Sequence, residues 1–480
     1  MRWGQRQRHR PATSSGARTP RDEATGLATY AGLLHECADA LAATAASGAP
    51  AQPALLLVDL EGITEAATAE GFTAGDELLR LMAARVTREV GSLGLVARMS
   101  DHQLAVLFTD LSAPAVALDL AYRIVTSVSS PAVLDSQRRV VLSTSCGIVT
   151  RETLPIRTTA TELVRAADLA VREARRTGRN RIEVCTRELV ASADETLAIG
   201  KDLRQALQEQ GLDVCYQPLV DLTHGSVLGF EALVRWSHPV HGHVSPARFV
   251  PVAEEFGLIS ELGRMVLSTA SAQLQQWSVA FGVPLTAHVN VSGQDLANDG
   301  FIAMVQDCLS DSGLPATQLV LEVTETTVEP DLDTARARFE ALHDLGVRVA
   351  LDDFGTGRSA LSYLQSLSVD ILKVDRSYLD SIDDQQADAA QSERRADDLL
   401  RGVVALGQAL GLEVYGEGIE DEAQRRRLLA SGCDIGQGYL FARPLPAADA
   451  VGLLHEQRPA PSRVSPLGSR ILAADAAQSA

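Results

Sequence analysis

The sequence predicts an α/β protein in which an N-terminal α/β sandwich is followed by a (β/α)8 barrel whose first strand is antiparallel. The chain has 480 residues, enough for two or three domains that each bury a core. From residue 213 onward, apolar runs rich in Val, Ile and Leu alternate with helical patterns, which is typical of buried parallel strands joined by helices. Eight such runs in roughly 230 residues suit an eight-stranded barrel.

Composition places the chain among globular proteins and excludes several classes of partner. Hydrophobic residues make up 46% of the sequence, and the formal net charge of −19 argues against a nucleic-acid or anionic-membrane surface. No stretch approaches the ~18 uninterrupted apolar residues of a transmembrane helix, and the arginine-rich start lacks the apolar segment of a secretory signal. The six cysteines are scattered and form no CxxC pair, so we expect reduced thiols in a cytoplasmic protein.

The N-terminal part of the chain mixes helical and strand patterns. Residues 1–21 are rich in Arg, Ser, Thr and Pro and are predicted to form a disordered basic tail. Within residues 22–186, the apolar side chains of 75–90 share one helical face, and Pro114 suits the first turn of a helix. The predicted helices cover 27–46, 75–90, 114–127 and 161–176, and the predicted strands cover 53–59, 93–98, 104–108 and 139–149.

A charged helical connector, 187–210, leads into the predicted barrel at 211–455, and a disordered tail is expected over 456–480. Only the short link from Thr223 to Ser226 joins the first two barrel strands, which is too short for a parallel crossover. The first strand therefore runs antiparallel. Strands are predicted at 213–221, 227–236, 286–292, 319–325, 347–353, 370–375, 413–419 and 434–441, and helices at 261–279, 301–312, 332–345, 395–410 and 421–431.

Polar side chains, mostly acids and amides, end the predicted barrel strands. Because the carboxyl ends of the strands share one face of a barrel, we expect these side chains to converge. Converging acids repel one another and have raised pKa values unless cations lie among them. Oxygen ligands without Cys or an obvious His favour Mg²⁺ or Mn²⁺ over Zn²⁺. The candidates are Gln217, Glu231, Asn290, Glu322, Asp352, Asp353, Lys373, Asp375, Glu417 and Gln437.

The adjacent acids Asp352 and Asp353 stand at the centre of this pattern. They follow an apolar run from Val347 to Leu351 and precede a glycine-rich turn, with nothing basic beside them in the sequence. Alternation along a strand sends neighbouring side chains to opposite faces, but a bend at the strand end lets both acids reach one site. Locally a solvated turn is an equal alternative, since Asp and Gly are common in turns. The other strand ends favour a metal site.

Eight motifs in this region occur in the order found in one enzyme family. They are Tyr216–Val220, Gly229–Trp236 with Glu231-Ala-Leu233 inside it, Asn290–Ser292, Leu321–Glu325, Asp352–Gly357, Leu372–Asp375, Gly416–Glu420 and Gly436–Phe441. On these motifs, residues 205 to about 450 resemble the EAL-domain cyclic di-GMP phosphodiesterases. One departure is Arg358, which follows Gly357 where the family has the first residue of YSS. Its effect on the loop, the rate and the dimer contact stays open.

The resemblance implies a role for each matching residue. It implies that Asp352 bridges two cations, that Lys373 orients or polarises the attacking water, and that Glu417 is a ligand or general base. It implies that Glu325 braces the loop after the paired acids. The implied metal ligands are Glu231, Asn290, Glu322, Asp352, Asp353 and Glu417, with Glu231 also counted as catalytic. The implied substrate-side residues are Gln217, Arg235, Asp375, Glu420 and Gln437.

Residues 22–186 are similar to the GGDEF, or diguanylate cyclase, domain. Where that family has its GGDEF motif, this chain has Ser100-Asp-His-Gln-Leu104, so two glycines that admit a triphosphate and one metal-binding acid are missing. We expect no cyclase activity, since of the obvious metal ligands only Asp59 is left. Weak GTP binding, a regulatory or dimerisation role, and a purely structural role stay open. The similarity rests on Asp22–Leu27, Asp59–Gly62, Gly75-Asp76, Asp168, Gly178 and Asn180.

The combined resemblance implies metal-dependent hydrolysis of cyclic di-GMP to linear 5′-pGpG, by a homodimer that pairs through the barrel. Two Mg²⁺ or Mn²⁺ ions would reverse the repulsion between an acidic pocket and an anionic substrate. A catalytically silent receptor for cyclic di-GMP or GTP is the alternative. A bifunctional cyclase and phosphodiesterase conflicts with the segment Ser100–Leu104.

Overall fold

The computed structural model describes residues 19–47, 52–111, 114–150, 153–155, 158–328, 331–354, 367–379 and 389–456. The chain divides into two compact units, Met1–Leu197 and Ala198–Ala480. The predicted basic tail up to residue 18, the predicted tail after residue 456, and Arg358 lie outside the described residues. None of the helices within the described ranges combines the length and the apolar character that a membrane span requires.

The N-terminal unit contains a five-stranded sheet with helices on both faces. In chain order its elements are α1 (Tyr30–Ser47), β1 (Gln52–Glu61), α2 (Ile63–Glu70), α3 (Phe72–Val90), β2 (Leu95–Arg98), β3 (Gln103–Leu111), α4 (Pro114–Val128), β4 (Ala132–Val133), β5 (Arg139–Val140), β6 (Ser143–Thr150), α5 (Ala160–Thr177), β7 (Ile182–Val184) and α6 (Arg187–Gln208), the last of which contains the boundary between the two units.

The central strand β1 shows why helices cover both faces of this sheet. The strand order is β2-β3-β1-β6-β7, and β1 is antiparallel to both of its neighbours. Its side chains alternate between two cores, with Leu56 and Val58 on one face and Leu55 and Leu57 on the other. An apolar run that is buried on both faces needs a helical layer on each side.

One predicted strand of the N-terminal unit is wrong. The run 139–149 was expected to form a single strand, but it splits into β5 and β6, and β5 pairs with β4 in a separate two-stranded sheet. The turn between β4 and β5 contains Gln137, whose φ of 64° lies in the left-handed region. An apolar pattern does not reveal that this short hairpin leaves the main sheet. Helix α2 was also not predicted.

The C-terminal unit contains the predicted barrel. In chain order its elements are β8 (Leu212–Asp221), β9 (Val227–His238), β10 (Gly242–Val244), α7 (Pro246–Glu255), α8 (Ile259–Phe281), β11 (Thr286–Asn290), α9 (Gly293–Ala297), α10 (Phe301–Ser312), β12 (Leu319–Thr324), α11 (Glu325–Val328), α12 (Leu332–Asp344), β13 (Arg348–Phe354), β14 (Ile371–Val374), α13 (Ala389–Ala409), β15 (Glu413–Gly416), α14 (Glu422–Ala430), β16 (Ile435–Gly436), β17 (Leu445–Pro446) and α15 (Ala447–His455).

Within the described residues, the eight strands β8, β9 and β11 to β16 close into a barrel because β8 pairs with both β9 and β16. Strand β8 is antiparallel to both neighbours, whereas β9 and β11 to β16 are parallel to one another. This confirms the predicted fold, including the antiparallel first strand. The short link forms a tight turn in which the Gly225 amide donates to the Asp221 carbonyl at 2.7 Å, and Gly225 takes a φ of 72°.

The last predicted strand is much shorter than expected. The pattern suggested 434–441, but only Ile435 and Gly436 pair as β16. After them the chain passes against the backbone of Ile419, so closely that a Cβ on Gly438 would collide with it. Close backbone packing therefore replaces ladder pairing at this point. Helices α7, α9 and α15 were not predicted either.

The amino-terminal end of the barrel carries a half-buried charge network. The Arg348 guanidinium lies 2.9 Å from Glu413, and one oxygen of Asp370 lies 2.9 Å from His343 Nε2 and accepts from the Val349 amide at 2.8 Å. The hydrogen bond with Asp370 raises the pKa of His343. Burial opposes ionisation of Asp370, but the bonds from His343 and Val349 outweigh it and lower the pKa of that acid.

The pair His343–Asp370 predicts a pH-dependent contribution to stability. Because the pKa of His343 is raised in the folded protein, its protonated form stabilises the fold. This stabilisation is fully present below the unfolded pKa of 6.5 and is lost as pH rises through the folded pKa. The Asp370 contribution is present above 3.8 and is lost as pH falls. His343→Gln should therefore cost about 1 kcal/mol near pH 5.5 and less at pH 9.

Urea unfolding checks this prediction, followed by the fluorescence of Trp236 and Trp277, which are buried in the C-terminal unit. The exposed His243 provides the matched control, His243→Gln. Equal losses for His343→Gln at both pH values would contradict the assignment.

Candidate active site

The predicted site residues lie at the carboxyl ends of the barrel strands. Strand pairing sets Asn290 opposite Glu322 on β11 and β12, and Gln217 opposite Glu231 on β8 and β9. Side chains at paired positions point to the same face of a sheet. Glu231, Glu322 and Gln217 are all buried, so the strands project one polar layer into the end of the barrel.

Glu231 is held by two amide side chains. Asn290 Nδ2 donates to Glu231 Oε1 at 2.9 Å, and Gln437 Nε2 donates to Glu231 Oε2 at 2.7 Å. The same Gln437 nitrogen lies 3.0 Å from Glu417 Oε1. Each amide also has a carbonyl oxygen, the atom that a hard cation prefers. The two amides therefore join acids on distant strands and can also serve as oxygen ligands.

A β-bulge brings the adjacent acids together. The pairing of β13 with β14 shifts between Leu351 and Phe354, and Asp353 adopts a φ of 54°. A bulge re-aims a side chain that regular alternation would send to the other face. As a result Asp352, Asp353 and Glu417 each offer an oxygen, and these oxygens lie within 4.8 Å of one another. A left-handed non-glycine residue costs about 1 kcal/mol or more, so other contacts must hold the bulge.

Lys373 lies among the acids on β14. Its Nζ is 2.8 Å from Glu322 Oε2, 2.5 Å from Glu417 Oε1 and 3.5 Å from Asp352 Oδ2. No basic residue adjoins the paired acids in the sequence, but parallel pairing places β14 next to β13 and brings Lys373, one of the predicted site residues, to 3.5 Å from Asp352. Lysine is rare in this sequence, which has only Lys201 and Lys373. A compact ammonium fits between three carboxylates where a planar guanidinium does not.

Burial and mutual repulsion shift the pKa values in this cluster. Burial raises the pKa of Glu322 and of Glu417 well above the ordinary value, neighbouring acids add to the rise, and Lys373 opposes it. Burial and the charge of Asp352 raise the pKa of Asp353. Burial alone would lower the pKa of Lys373, but the surrounding carboxylates outweigh it and raise that pKa well above the ordinary value. Lys373 therefore stays charged, but its single positive charge does not neutralise all of the surrounding carboxylates.

Two predicted substrate-side residues lie on the first two barrel strands, with Gln217 opposite Glu231 and Arg235 opposite Asp213. Gln217 is buried and donates from Nε2 to the Ala442 carbonyl at 3.2 Å. Arg235 is four positions after Glu231 on β9, on the same face, and is half-buried. Its guanidinium donates to the Val234 carbonyl at 2.8 Å. Both residues thus border the acids from the side of the first two strands.

Asp375 and Glu420 lie at the edge of the acid cluster, where the charge of Asp375 adds to the rise in the pKa of Asp353. Asp375 caps the short 3-10 helix Arg376–Tyr378 by accepting from the Ser377 amide at 2.9 Å. Glu420 follows β15 and forms an ion pair with Arg376 at 2.5 Å. Both residues lie just beyond the strand ends, and their contacts with Ser377 and Arg376 stabilise the local structure.

Glu325 is buried at the start of α11. Neither carboxylate oxygen has a hydrogen-bond partner among the residues that the structure describes. The loop that it was predicted to brace, 355–366, lies outside those residues. The role of Glu325 stays a prediction.

The sequence interpretation missed His288. This histidine is fully buried on β11, two residues before Asn290 and therefore on the same face. Its Nδ1 lies 2.9 Å from Glu322 Oε1. The strand period of two could have revealed it, because any polar residue two positions before a site residue points to the same interior.

The donor set fits divalent cations. Carboxylates supply most of the oxygens, the two amides beside Glu231 supply others, and no cysteine belongs to the cluster. The pKa values of Glu322, Asp353 and Glu417 are raised, and Lys373 is the one ammonium that the described residues place among these acids. Hard oxygen ligands of this kind suit Mg²⁺ or Mn²⁺.

The N-terminal unit has its own buried acid beside a cavity. Asp59 lies opposite Gln103 in the sheet, its Oδ2 is 2.7 Å from the Arg175 guanidinium, and its Oδ1 is 3.8 Å from His102 Nε2. Burial raises the pKa of Asp59, while Arg175 and His102 oppose the rise. The neighbouring cavity of about 600 Å³ is lined partly by His102, Arg175 and Arg179.

The barrel and its acid cluster define the chain as a (β/α)8-barrel protein with a carboxylate-rich site at the usual active face. A family model described as EAL domain matches residues 201–444, and one described as Diguanylate cyclase, GGDEF domain matches residues 19–181. The chain belongs to the EAL domain family and carries a GGDEF region ahead of the barrel. This confirms the resemblance seen in the sequence.

Known relatives agree with this assignment. An uncharacterized protein of Mycobacterium tuberculosis is 33% identical over 442 residues, which cover 92% of this chain and 68% of the relative. The bifunctional diguanylate cyclase/cyclic di-GMP phosphodiesterase MucR of Pseudomonas aeruginosa is 36% identical over 394 residues, which cover 82% of this chain and 56% of MucR. The solved structure of the EAL enzyme Bd1971, with cAMP and cyclic di-GMP bound, matches with a TM-score of 0.51 and 25% identity, over 66% of this chain and 82% of that one.

Removing Lys373 should strongly destabilise the barrel. Lys373→Met leaves three buried carboxylates without their ammonium, and breaking a buried ion pair in this way costs about 3–5 kcal/mol. Urea unfolding followed by tryptophan fluorescence measures the loss. Lys201→Met, on an exposed position of α6, is the matched control and should unfold like the wild type. Equal stability of the two variants would show that Lys373 is not the compensating charge.

Proposed function

We propose that the C-terminal unit hydrolyses cyclic di-GMP to linear 5′-pGpG with two divalent cations, Mg²⁺ or Mn²⁺. The observation that carries the proposal is the convergence of Glu231, Glu322, Asp352 and Glu417 around Lys373 at the carboxyl ends of the barrel strands. Membership of the EAL domain family and similarity to the phosphodiesterase MucR support the choice of substrate.

The charge balance of the site supports two cations. Among the described residues, five carboxylates meet at the cluster and one ammonium lies between them. The excess of four negative charges equals the charge of two divalent cations. Without them an anionic phosphodiester would be repelled. The carboxylates are those of Glu231, Glu322, Asp352, Asp353 and Glu417.

Bound cations would neutralise the phosphodiester and lower the pKa of a nearby water. Around them the residues of the chain have separate tasks. The amides of Asn290 and Gln437 fix the Glu231 carboxylate. Lys373 orients the attacking water, and Glu417 serves as a metal ligand or as the general base.

The substrate side is proposed to lie along β8 and β9. Arg235 presents a guanidinium on the same face as Glu231, and a guanidinium can bind a phosphate with two hydrogen bonds. Gln217 adds an amide next to it. Asp375 and Glu420 are proposed to act at the edge of the substrate, beyond their present contacts with Ser377 and Arg376.

The N-terminal unit is proposed to be a regulatory or dimerisation module and not a cyclase. The buried acid Asp59 near the end of β1 is already paired with Arg175, which also lies 3.7 Å from Glu61, the last residue of that strand. Gln103 and His102 stand on the facing hairpin where acids would be needed to hold metal. The chain is further proposed to act in the cytoplasm, as a homodimer through the barrel, in keeping with six free cysteines that all lie in the described ranges.

Loss of a proposed ligand should abolish turnover. Glu231→Ala and Asp352→Asn each remove one carboxylate charge from the site, so hydrolysis of cyclic di-GMP should fall by about 10³-fold or more. Chromatography of the nucleotides with Mg²⁺ or Mn²⁺, with and without GTP, measures pGpG. The controls are Glu261→Ala and Asp307→Asn, at exposed positions of α8 and α10.

Three outcomes would overturn the assignments. Retained activity in either site variant would contradict the ligand set. A wild-type chain that forms no pGpG with either metal would contradict the proposed function, and tight binding of cyclic di-GMP without hydrolysis would identify a receptor instead.

The N-terminal unit should form no cyclic di-GMP. Incubation of the Glu231→Ala variant with GTP and Mg²⁺ or Mn²⁺ prevents any product from being destroyed by the barrel. The expected result is unchanged GTP, because the pairing of Asp59 with Arg175 leaves too few metal ligands. Appearance of cyclic di-GMP would show that this unit is an active cyclase.

A further inference from the structure

His288 lies behind the acid cluster, and the proposed mechanism gives it no role. Its ring is fully buried inside the barrel, and strand pairing sets His288 opposite Glu231 on β9. The Nδ1 atom lies 2.9 Å from Glu322 Oε1, while Lys373 contacts the other oxygen of the same carboxylate at 2.8 Å. The two oxygens of Glu322 are therefore held from two directions by two different groups.

The other ring nitrogen has a partner as well. His288 Nε2 lies 3.2 Å from the hydroxyl oxygen of Thr286, the first residue of the same strand. That oxygen also lies 3.4 Å from the Leu228 carbonyl, a longer contact. A neutral imidazole in this position carries one N–H, on either Nδ1 or Nε2.

Only one placement of that proton suits an ionised ligand. With the proton on Nδ1, the imidazole donates to Glu322 and the Thr286 hydroxyl can donate to Nε2, so both ring nitrogens have a partner. With the proton on Nε2, a bare Nδ1 faces the carboxylate, and two acceptors oppose each other at 2.9 Å. The ionised Glu322 carboxylate, which can only accept, therefore selects the Nδ1–H tautomer, and Thr286 provides the partner of the other ring nitrogen.

We propose that His288, with Thr286 behind it, is a positioning residue that holds the Glu322 carboxylate in the orientation needed to bind a divalent cation. The inference rests on the proposed metal-dependent function. At metal sites generally, hydrogen bonds from residues behind the ligands fix the orientation of those ligands, and their loss weakens metal affinity by about 10–100-fold. A hydrogen bond from His288 would orient the Glu322 carboxylate in the same way.

Manganese binding tests the proposal without using catalysis. Free Mn²⁺ is followed by electron paramagnetic resonance during titration of the full chain. His288→Leu keeps a similar volume but removes the donor, so its Mn²⁺ affinity should fall by about 10–100-fold. His288→Asn carries an N–H close to the Nδ1 position and should stay within about threefold of the wild type. Thr286→Val leaves the ring in place but removes the partner of Nε2, so it should show a smaller loss.

A packing control comes from the neighbouring strand. Val320 pairs with His288 in the sheet and is buried in the same layer. Val320→Ala disturbs this layer without touching a hydrogen bond, and its Mn²⁺ affinity should match the wild type. Circular dichroism confirms that each variant is folded. If His288→Leu does not fold, Thr286→Val and His288→Asn carry the test.

The outcomes separate this inference from the function on which it rests. A wild type that binds Mn²⁺ and hydrolyses cyclic di-GMP, beside a His288→Leu variant with unchanged affinity, overturns the inference alone. Equal losses in His288→Leu and Val320→Ala, or no rescue by His288→Asn, overturn it too, because the effect is then one of packing. A wild type that binds no Mn²⁺ overturns the proposed function and this inference together.

Discussion

Lys373 lies within 3.5 Å of three carboxylates in a part of the barrel that water hardly reaches. Buried charges persist only where partners compensate them, so the arrangement of the whole barrel end depends on this balance. The amides of Asn290 and Gln437 and the imidazole of His288 surround the same acids with hydrogen-bond donors. Donors of this kind orient the acids but leave most of their negative charge in place, and that remaining charge is what a pair of divalent cations would balance.

The two units balance a buried strand-end acid in opposite ways. In the N-terminal unit, Asp59 lies 2.7 Å from the guanidinium of Arg175, so a protein cation already compensates its charge. In the barrel, the acids of the cluster outnumber their single ammonium. A site whose charge is balanced internally has little need for a metal, whereas a site with an excess of acid attracts one. This contrast supports the proposal that the cation chemistry belongs to the barrel.

Much of the fold and part of the site were predictable because both follow from the periodic spacing of apolar residues in the sequence. Long apolar runs alternating with helical patterns revealed the barrel, and the short link at Thr223–Ser226 revealed the direction of its first strand. Glu231 and Asn290 could be placed at strand ends for the same reason. The orientation of Asp353 could not, since it depends on a bulge in β13. His288 was hidden because it lies inside an apolar strand, where one polar residue looks like an interruption.

The central claim is that the barrel hydrolyses a cyclic dinucleotide only when cations balance its acids. The most direct measurement counts Mn²⁺ bound per chain while following the conversion of cyclic di-GMP to pGpG during stepwise reloading of chelator-treated protein. The account predicts no turnover in the chelated protein and a rise in turnover that reaches its plateau at two Mn²⁺ per chain, the number that offsets the acid excess. Full turnover in the chelated protein, or none at any Mn²⁺ occupancy, would contradict it.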